Sequence, residues 1–130
     1  MAKATVILGP VDFGMTATVR DHKVVIDEPI GNGGKNTGPS PTEYLCVALA
    51  SCTTATLKMY ANHKQWKIDS IMVEVEKEST EDGKNTFKRT LHIKGPLDDA
   101  QMNRLLQIAG ACPVHKILAQ ANTIETVLGN

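Results

Sequence analysis

Apolar residues recur along the chain in three rhythms, and each points to a different element. Ala4 to Leu8, Thr16 to Arg20 and Lys23 to Asp27 are short runs rich in Val, Ile and Thr, the composition of strands. The polar pair Asp21-His22 reads as a tight hairpin turn, so a small antiparallel sheet is expected first. The rhythm then becomes an unbroken apolar or small run: Leu45, Cys46, Val47, Ala48, Leu49, Ala50, Ser51, Cys52. Ahead of it, Ser40-Pro41-Thr42-Glu43 places Ser at the N-cap, Pro at the first helical position and Glu at N3. That is a capping box, and it predicts a helix from Pro41 to near His63. A helix that is apolar on most faces is expected to be central and buried. From Ala48 to Ala55 only Leu49 is large, which lets another backbone approach closely.

The third rhythm is strict alternation. Ile71, Val73 and Val75 alternate with Met72, Glu74 and Glu76; Phe87, Leu91 and Ile93 alternate with Lys88, Thr90, His92 and Lys94. Two strands with one solvated face are predicted, joined by the turn Glu81-Asp82-Gly83-Lys84 and ended by Gly95-Pro96. Asp98 is the expected N-cap of a helix through Met102, Leu105, Leu106 and Ile108-Ala109, with Gln101 three residues on. Pro113 stops or kinks it near Cys112. Val114, Ile117 and Leu118 suggest a short further helix, and Thr123 to Leu128 a closing strand. Strands interrupted by helices in this order are an α+β pattern, in one domain spanning residues 1–130.

Composition excludes several classes of function. Fourteen basic residues balance fourteen acidic ones, without the basic excess of a nucleic-acid binder. The apolar stretch from Tyr44 to Ala50 is too short to span a bilayer, so neither nucleic acid nor membrane is an expected partner. The N-terminal segment soon meets Gly9-Pro10 and carries no long apolar region or cleavage site, so no signal peptide is expected. The three cysteines then read as reduced thiols in the cytoplasm. The Gly-rich stretch from Gly31 to Gly38 fails as a phosphate loop. A Walker loop needs Gly where Pro29 stands and Ser or Thr where Asn36 stands, and the dinucleotide fingerprint fails at Asn36. It reads as a connector bordering a site. Cys112 and His115 have ligand-like spacing, and Cys52 adds a third group, but a structural zinc site takes four ligands. His22, His63 and His92 fall on a turn, a helix end and a solvated strand face, so no metal or cofactor is expected. Cys46 precedes Cys52 by six positions, on a different helix face, and reads as packing.

Two motifs stand out. Gly38-Pro39-Ser40-Pro41-Thr42-Glu43-Tyr44-Leu45 runs into Ala48-Leu49-Ala50-Ser51-Cys52, and Ala111-Cys112-Pro113-Val114-His115 follows at the far end. Together, in this order and chain length, they resemble the OsmC/Ohr family of osmotically inducible and organic hydroperoxide resistance proteins. The resemblance implies antiparallel sheets wrapped around a long central helix in an intertwined homodimer, with two active sites at the interface. A chain this small has little material to cover a helix apolar on all sides, an independent reason to expect a second copy.

The resemblance also implies thiol peroxidase chemistry on an organic hydroperoxide. Cys52 matches the peroxidatic position, whose thiolate attacks the O–O bond and becomes a sulfenic acid. Cys112 matches the resolving position, which condenses with it to a disulfide, and a dithiol reductant, lipoyl-like in the family, restores both thiols. Family peroxidases activate the thiolate with an Arg held by a Glu. That Glu position falls on Thr42, with Glu43 one residue later, a candidate for activation or for closing the capping box. Arg20 and Lys35 are the candidate cations; Lys lacks the forked geometry of Arg. The rival expectation is a non-catalytic dimer of the same fold that binds an apolar small molecule.

Overall fold

The computed structural model describes residues 1–130, which form two compact units, Met1–Leu45 and Cys46–Asn130. The architecture is α+β, with antiparallel sheets and one long helix. In the first unit β1 (Thr5–Leu8), β2 (Met15–Val19) and β3 (His22–Ile26) form a sheet in that order. Val19 pairs directly with His22, so the turn is Arg20-Asp21, one position earlier than the sequence pattern suggests. Arg20 takes φ 53°, the left-handed backbone that tight hairpin loops demand.

The Gly-rich stretch after β3 is organised by one carboxylate. Asp27 is buried and accepts from the backbone N–H groups of Glu28 (2.7 Å), Lys35 (3.3 Å) and Thr37 (3.1 Å), and from the Thr37 hydroxyl (2.6 Å). Four donors satisfy a carboxylate that burial alone would penalise. The Thr37 hydroxyl is the largest cause holding its pKa below the usual value; burial opposes it and the backbone N–H groups reinforce it. The wrap is so close that a Cβ at Gly34 would lie 1.9 Å from the Glu28 carbonyl oxygen. Only glycine fits there.

Helix α1 (Pro41–Lys64) begins with the predicted capping box. Ser40 N–H donates to Glu43 Oε1 at 2.9 Å, and Glu43 N–H to Ser40 Oγ at 3.3 Å. The Tyr44 hydroxyl donates to the Val25 carbonyl at 2.6 Å, tying the first turn to β3. Buried residues of α1 are Leu49, Thr53, Leu57 and Ala61. A spacing of four marks a single stripe, so burial on all faces does not hold within one chain: Leu45, Val47 and Met59 are exposed.

In the second unit β4 (Ser70–Ser79) and β5 (Asn85–Lys94) pair antiparallel over their full length, from Ser70 opposite Lys94 to Ser79 opposite Asn85. Ile71, Val73 and Val75 share a face with Ile93, Leu91 and Arg89. The core joins Leu57 of α1 to Leu105 and Ala109, with Tyr60, Trp66, Ile71, Leu91 and Ile93 packed around them. Helix α2 (Asp99–Ile108) opens with the Asp98–Gln101 capping box and runs into a 3-10 turn over Ala109–Ala111. Helix α3 (Pro113–Leu118) follows Cys112. The expected strand from Thr123 to Leu128 is instead irregular. A strand exists only where another edge takes up its hydrogen bonds, and none in the chain pairs with this segment.

Candidate active site

Cys52 and Cys112 reach each other from different elements of the second unit. Cys52 lies half-buried on α1. Cys112 is fully buried and sits at the joint between the 3-10 turn and α3, at φ −57° and ψ 126°. Pro113 dictates that joint, because the residue before a proline is driven out of helical geometry. The first turn of α3 leaves N–H groups without helical partners, and those of Val114 and His115 act on the Cys112 sulfur, although no short capping hydrogen bond closes.

The two thiols interact, and their environments push them apart in acidity. Burial raises Cys52, and its thiol interaction with Cys112 raises it further, against weaker opposition from the Val114 N–H and the Thr56 hydroxyl. Burial also raises Cys112, but interactions with Cys52, the His115 N–H, the Thr53 hydroxyl and the Val114 N–H outweigh it, and its pKa falls below the ordinary thiol value. Cys112 is thus the more acidic of the two thiols.

A third strand of the site comes from the sheet. Arg89 stands on the inward face of β5, opposite Val75. Its Nη1 donates to Thr53 Oγ1 at 3.0 Å, and its Nη2 to His115 Nδ1 at 3.0 Å. Because a guanidinium only donates, His115 accepts at Nδ1 and carries its proton on Nε2. The Thr53 hydroxyl donates to the Leu49 carbonyl at 2.7 Å. The ion pairs of the chain are Lys67–Asp69 and His92–Glu74, so Arg89 has no carboxylate partner. A cleft of about 300 Å³ borders this cation and is lined by Leu49, Phe87, Arg89, His115 and Leu118, among others. A larger cavity, of about 770 Å³, lies in the first unit against Met1 to Thr5 and Thr18 to Arg20, and holds no thiol. No three His, Cys, Asp or Glu side chains gather into a metal-ligand set.

The family model for OsmC-like proteins matches residues 33–127. The chain belongs to the OsmC-like family. An OsmC-like protein of Mycoplasma pneumoniae is similar in structure, with a TM-score of 0.78 at 22% identity, over 92% of this chain and 87% of the other. The organic hydroperoxide resistance protein OsmC of Legionella pneumophila gives 0.68 at 18% identity, over 91% and 88%. An organic hydroperoxide resistance protein of Elizabethkingia anophelis gives 0.67 at 18%, over 90% and 86%. No curated protein matches in sequence.

This OsmC-like chain keeps its other expected site residues in the first unit, each in a local role. Glu43 closes the capping box, and its interactions with the Ser40 backbone N–H and hydroxyl lower its pKa. Arg20 forms the β2–β3 turn, and the Lys35 backbone N–H donates to Asp27. Cys46 is half-buried. Arg89 and Thr53 were not singled out by the sequence pattern, yet one signal marks Arg89. It occupies the apolar parity of β5, between Phe87 and Leu91. Helices of the chain are too short or too polar to cross a membrane.

Proposed function

We propose that this OsmC-like protein is a thiol-dependent peroxidase that reduces organic hydroperoxides through a Cys52 sulfenic acid and a Cys52–Cys112 disulfide. The observation that carries the reading is the placement of the two sulfurs: Cys52 half-buried on α1, and Cys112 fully buried at the joint that leads into α3. A hydroperoxide meets Cys52. As Cys52 attacks, its proton passes to the Cys112 thiolate. The Cys52 sulfur bonds to the terminal oxygen, the O–O bond breaks, and the alkoxide takes the proton back from Cys112 and leaves as the alcohol. Cys112 is then a thiolate beside a sulfenic acid. It attacks that sulfur, hydroxide leaves and is protonated to water, and a disulfide remains. A dithiol, lipoyl-like in kind, reduces it by exchange and is itself oxidised to a disulfide.

Relatives named for organic hydroperoxide resistance support the substrate class. The reading includes a homodimer, supported by the exposed Leu45, Val47 and Met59 of α1 and by Val127 and Leu128, which are about nine-tenths exposed or more.

The deciding experiment follows cumene hydroperoxide in a dithiol-coupled assay. Cys52→Ser is expected to abolish turnover. After peroxide treatment without reductant, intact mass should show wild type losing two hydrogens and Cys112→Ser gaining oxygen. Equal, slow consumption by wild type and Cys52→Ser would replace the enzyme with the non-catalytic reading, in which the cleft binds an apolar small molecule.

A further inference from the structure

We propose that Arg89 is the positioning residue of the thiol pair, acting on Cys112 from the sheet through two arms, the Thr53 hydroxyl and the His115 ring. The inference rests on the reading that these thiols carry the chemistry, and names an intrachain cation for it. Three observations converge. Arg89 is a part-buried cation between the apolar Phe87 and Leu91 on the inward face of β5. It has no carboxylate partner, so no ion pair repays its desolvation. Its two observed hydrogen bonds run to side chains from α1 and α3, the same two helical segments that hold Cys52 and follow Cys112.

Each arm has a physical task. The Thr53 oxygen accepts from the guanidinium, which polarises its O–H and strengthens it as a donor. That single proton rests on the Leu49 carbonyl, an acceptor already engaged by the helix. When Cys112 ionises, the hydroxyl turns to the sulfur, a stronger acceptor. On the other side, the bond to Nδ1 fixes the His115 ring and its tautomer. This anchors the first turn of α3 and keeps the Val114 and His115 N–H groups beside the sulfur. The contributions of Thr53 and His115 to the acidity of Cys112 agree with both tasks. A carboxylate at this position would instead cancel the cation before a thiolate formed.

The test titrates the thiols directly. In Cys46→Ser protein, ultraviolet thiolate absorbance against pH gives the midpoints, and alkylation mapped by mass assigns them to Cys52 or Cys112. Arg89→Met is expected to raise the Cys112 midpoint by about one unit, slowing its alkylation near neutral pH roughly tenfold. Arg89→Lys should fall between, because it keeps the charge and loses the fork. Thr53→Val, nearly isosteric, should raise the midpoint by less than Arg89→Met. An unchanged Cys112 midpoint in Arg89→Met and Thr53→Val overturns the proposal; if Arg89→Met does not fold, Thr53→Val and Arg89→Lys decide it. Peroxide turnover is scored separately. Shifted midpoints in a protein without turnover would remove the peroxidase and leave Arg89 its role. Normal turnover with unshifted midpoints would do the reverse.

Discussion

Leu57 has no accessible surface and packs against Leu105 and Ala109, where α1 meets the α2 segment. Leu57→Ala is expected to cost about 2–5 kcal/mol, since a close-packed site relaxes only partly around the missing atoms. Denaturant titration checks this, as a lower midpoint with an unchanged slope. Such positions are legible in a sequence because apolar periodicity reports them. Arg89 was missed for the same reason. The alternation of Phe87, Leu91 and Ile93 is counted from apolar residues, and the one cation on their parity drops out of the count. Thr53 was hidden differently: in a run of small residues beside Cys52, nothing local separates a hydroxyl that meets a distant guanidinium from one that only packs. The non-helical joint at Cys112 was legible through Pro113, whose effect on its predecessor needs no tertiary information.

Among elements, the Gly-rich loop shows how a motif that fails chemically still has a physical purpose. Its backbone N–H groups do face an anion, but the anion is Asp27 of the same chain. The sign of the pH dependence follows from the lowered pKa of Asp27. A carboxyl depressed in the folded state contributes stability that is fully present above its unfolded value, about 4, and is lost as pH falls through the folded value. Protection of the Lys35 and Thr37 amides from hydrogen exchange, corrected for intrinsic rates, should therefore hold near neutral pH and fall away in acid. In Asp27→Asn it should be low throughout. Protection that persists in acid would show that Asp27 does not organise the loop. The capping boxes at Ser40 and Asp98 were readable residue by residue, since each closes within four positions. The terminal segment from Thr123 was not, because β-branched composition states a preference and pairing requires an edge.

At the scale of the molecule, apolar side chains remain uncovered in both units: Val6, Ile7 and Leu8 on β1, Val47 and Met59 on α1, and Ile124, Val127 and Leu128 near the C-terminus. Sedimentation is expected to give twice the 14.0 kDa chain mass. Val47→Lys should shift the population towards the single chain by placing an unpaired charge in the contact. A single-chain mass at micromolar concentration would remove the homodimer. The α+β class was legible from element order alone, whereas a second copy against α1 is an expectation that rests on apolar surface one chain does not bury.

The ladder between β4 and β5 has a further consequence in chain statistics. Every pairing from Ser70–Lys94 to Ser79–Asn85 closes around one short turn, so the register that sets Arg89 opposite Val75 involves small loops. The bonds from Arg89 to Thr53 and His115 span 36 and 26 positions, and each must close a larger loop at a greater loss of chain entropy. The cation is thus placed by the most local part of the unit, and the groups it serves are gathered by the least local. Insertions in the turn around Gly83 leave that placement intact, whereas a one-residue slip within β5 turns Arg89 to the opposite face and silences it without altering a single atom of the thiols.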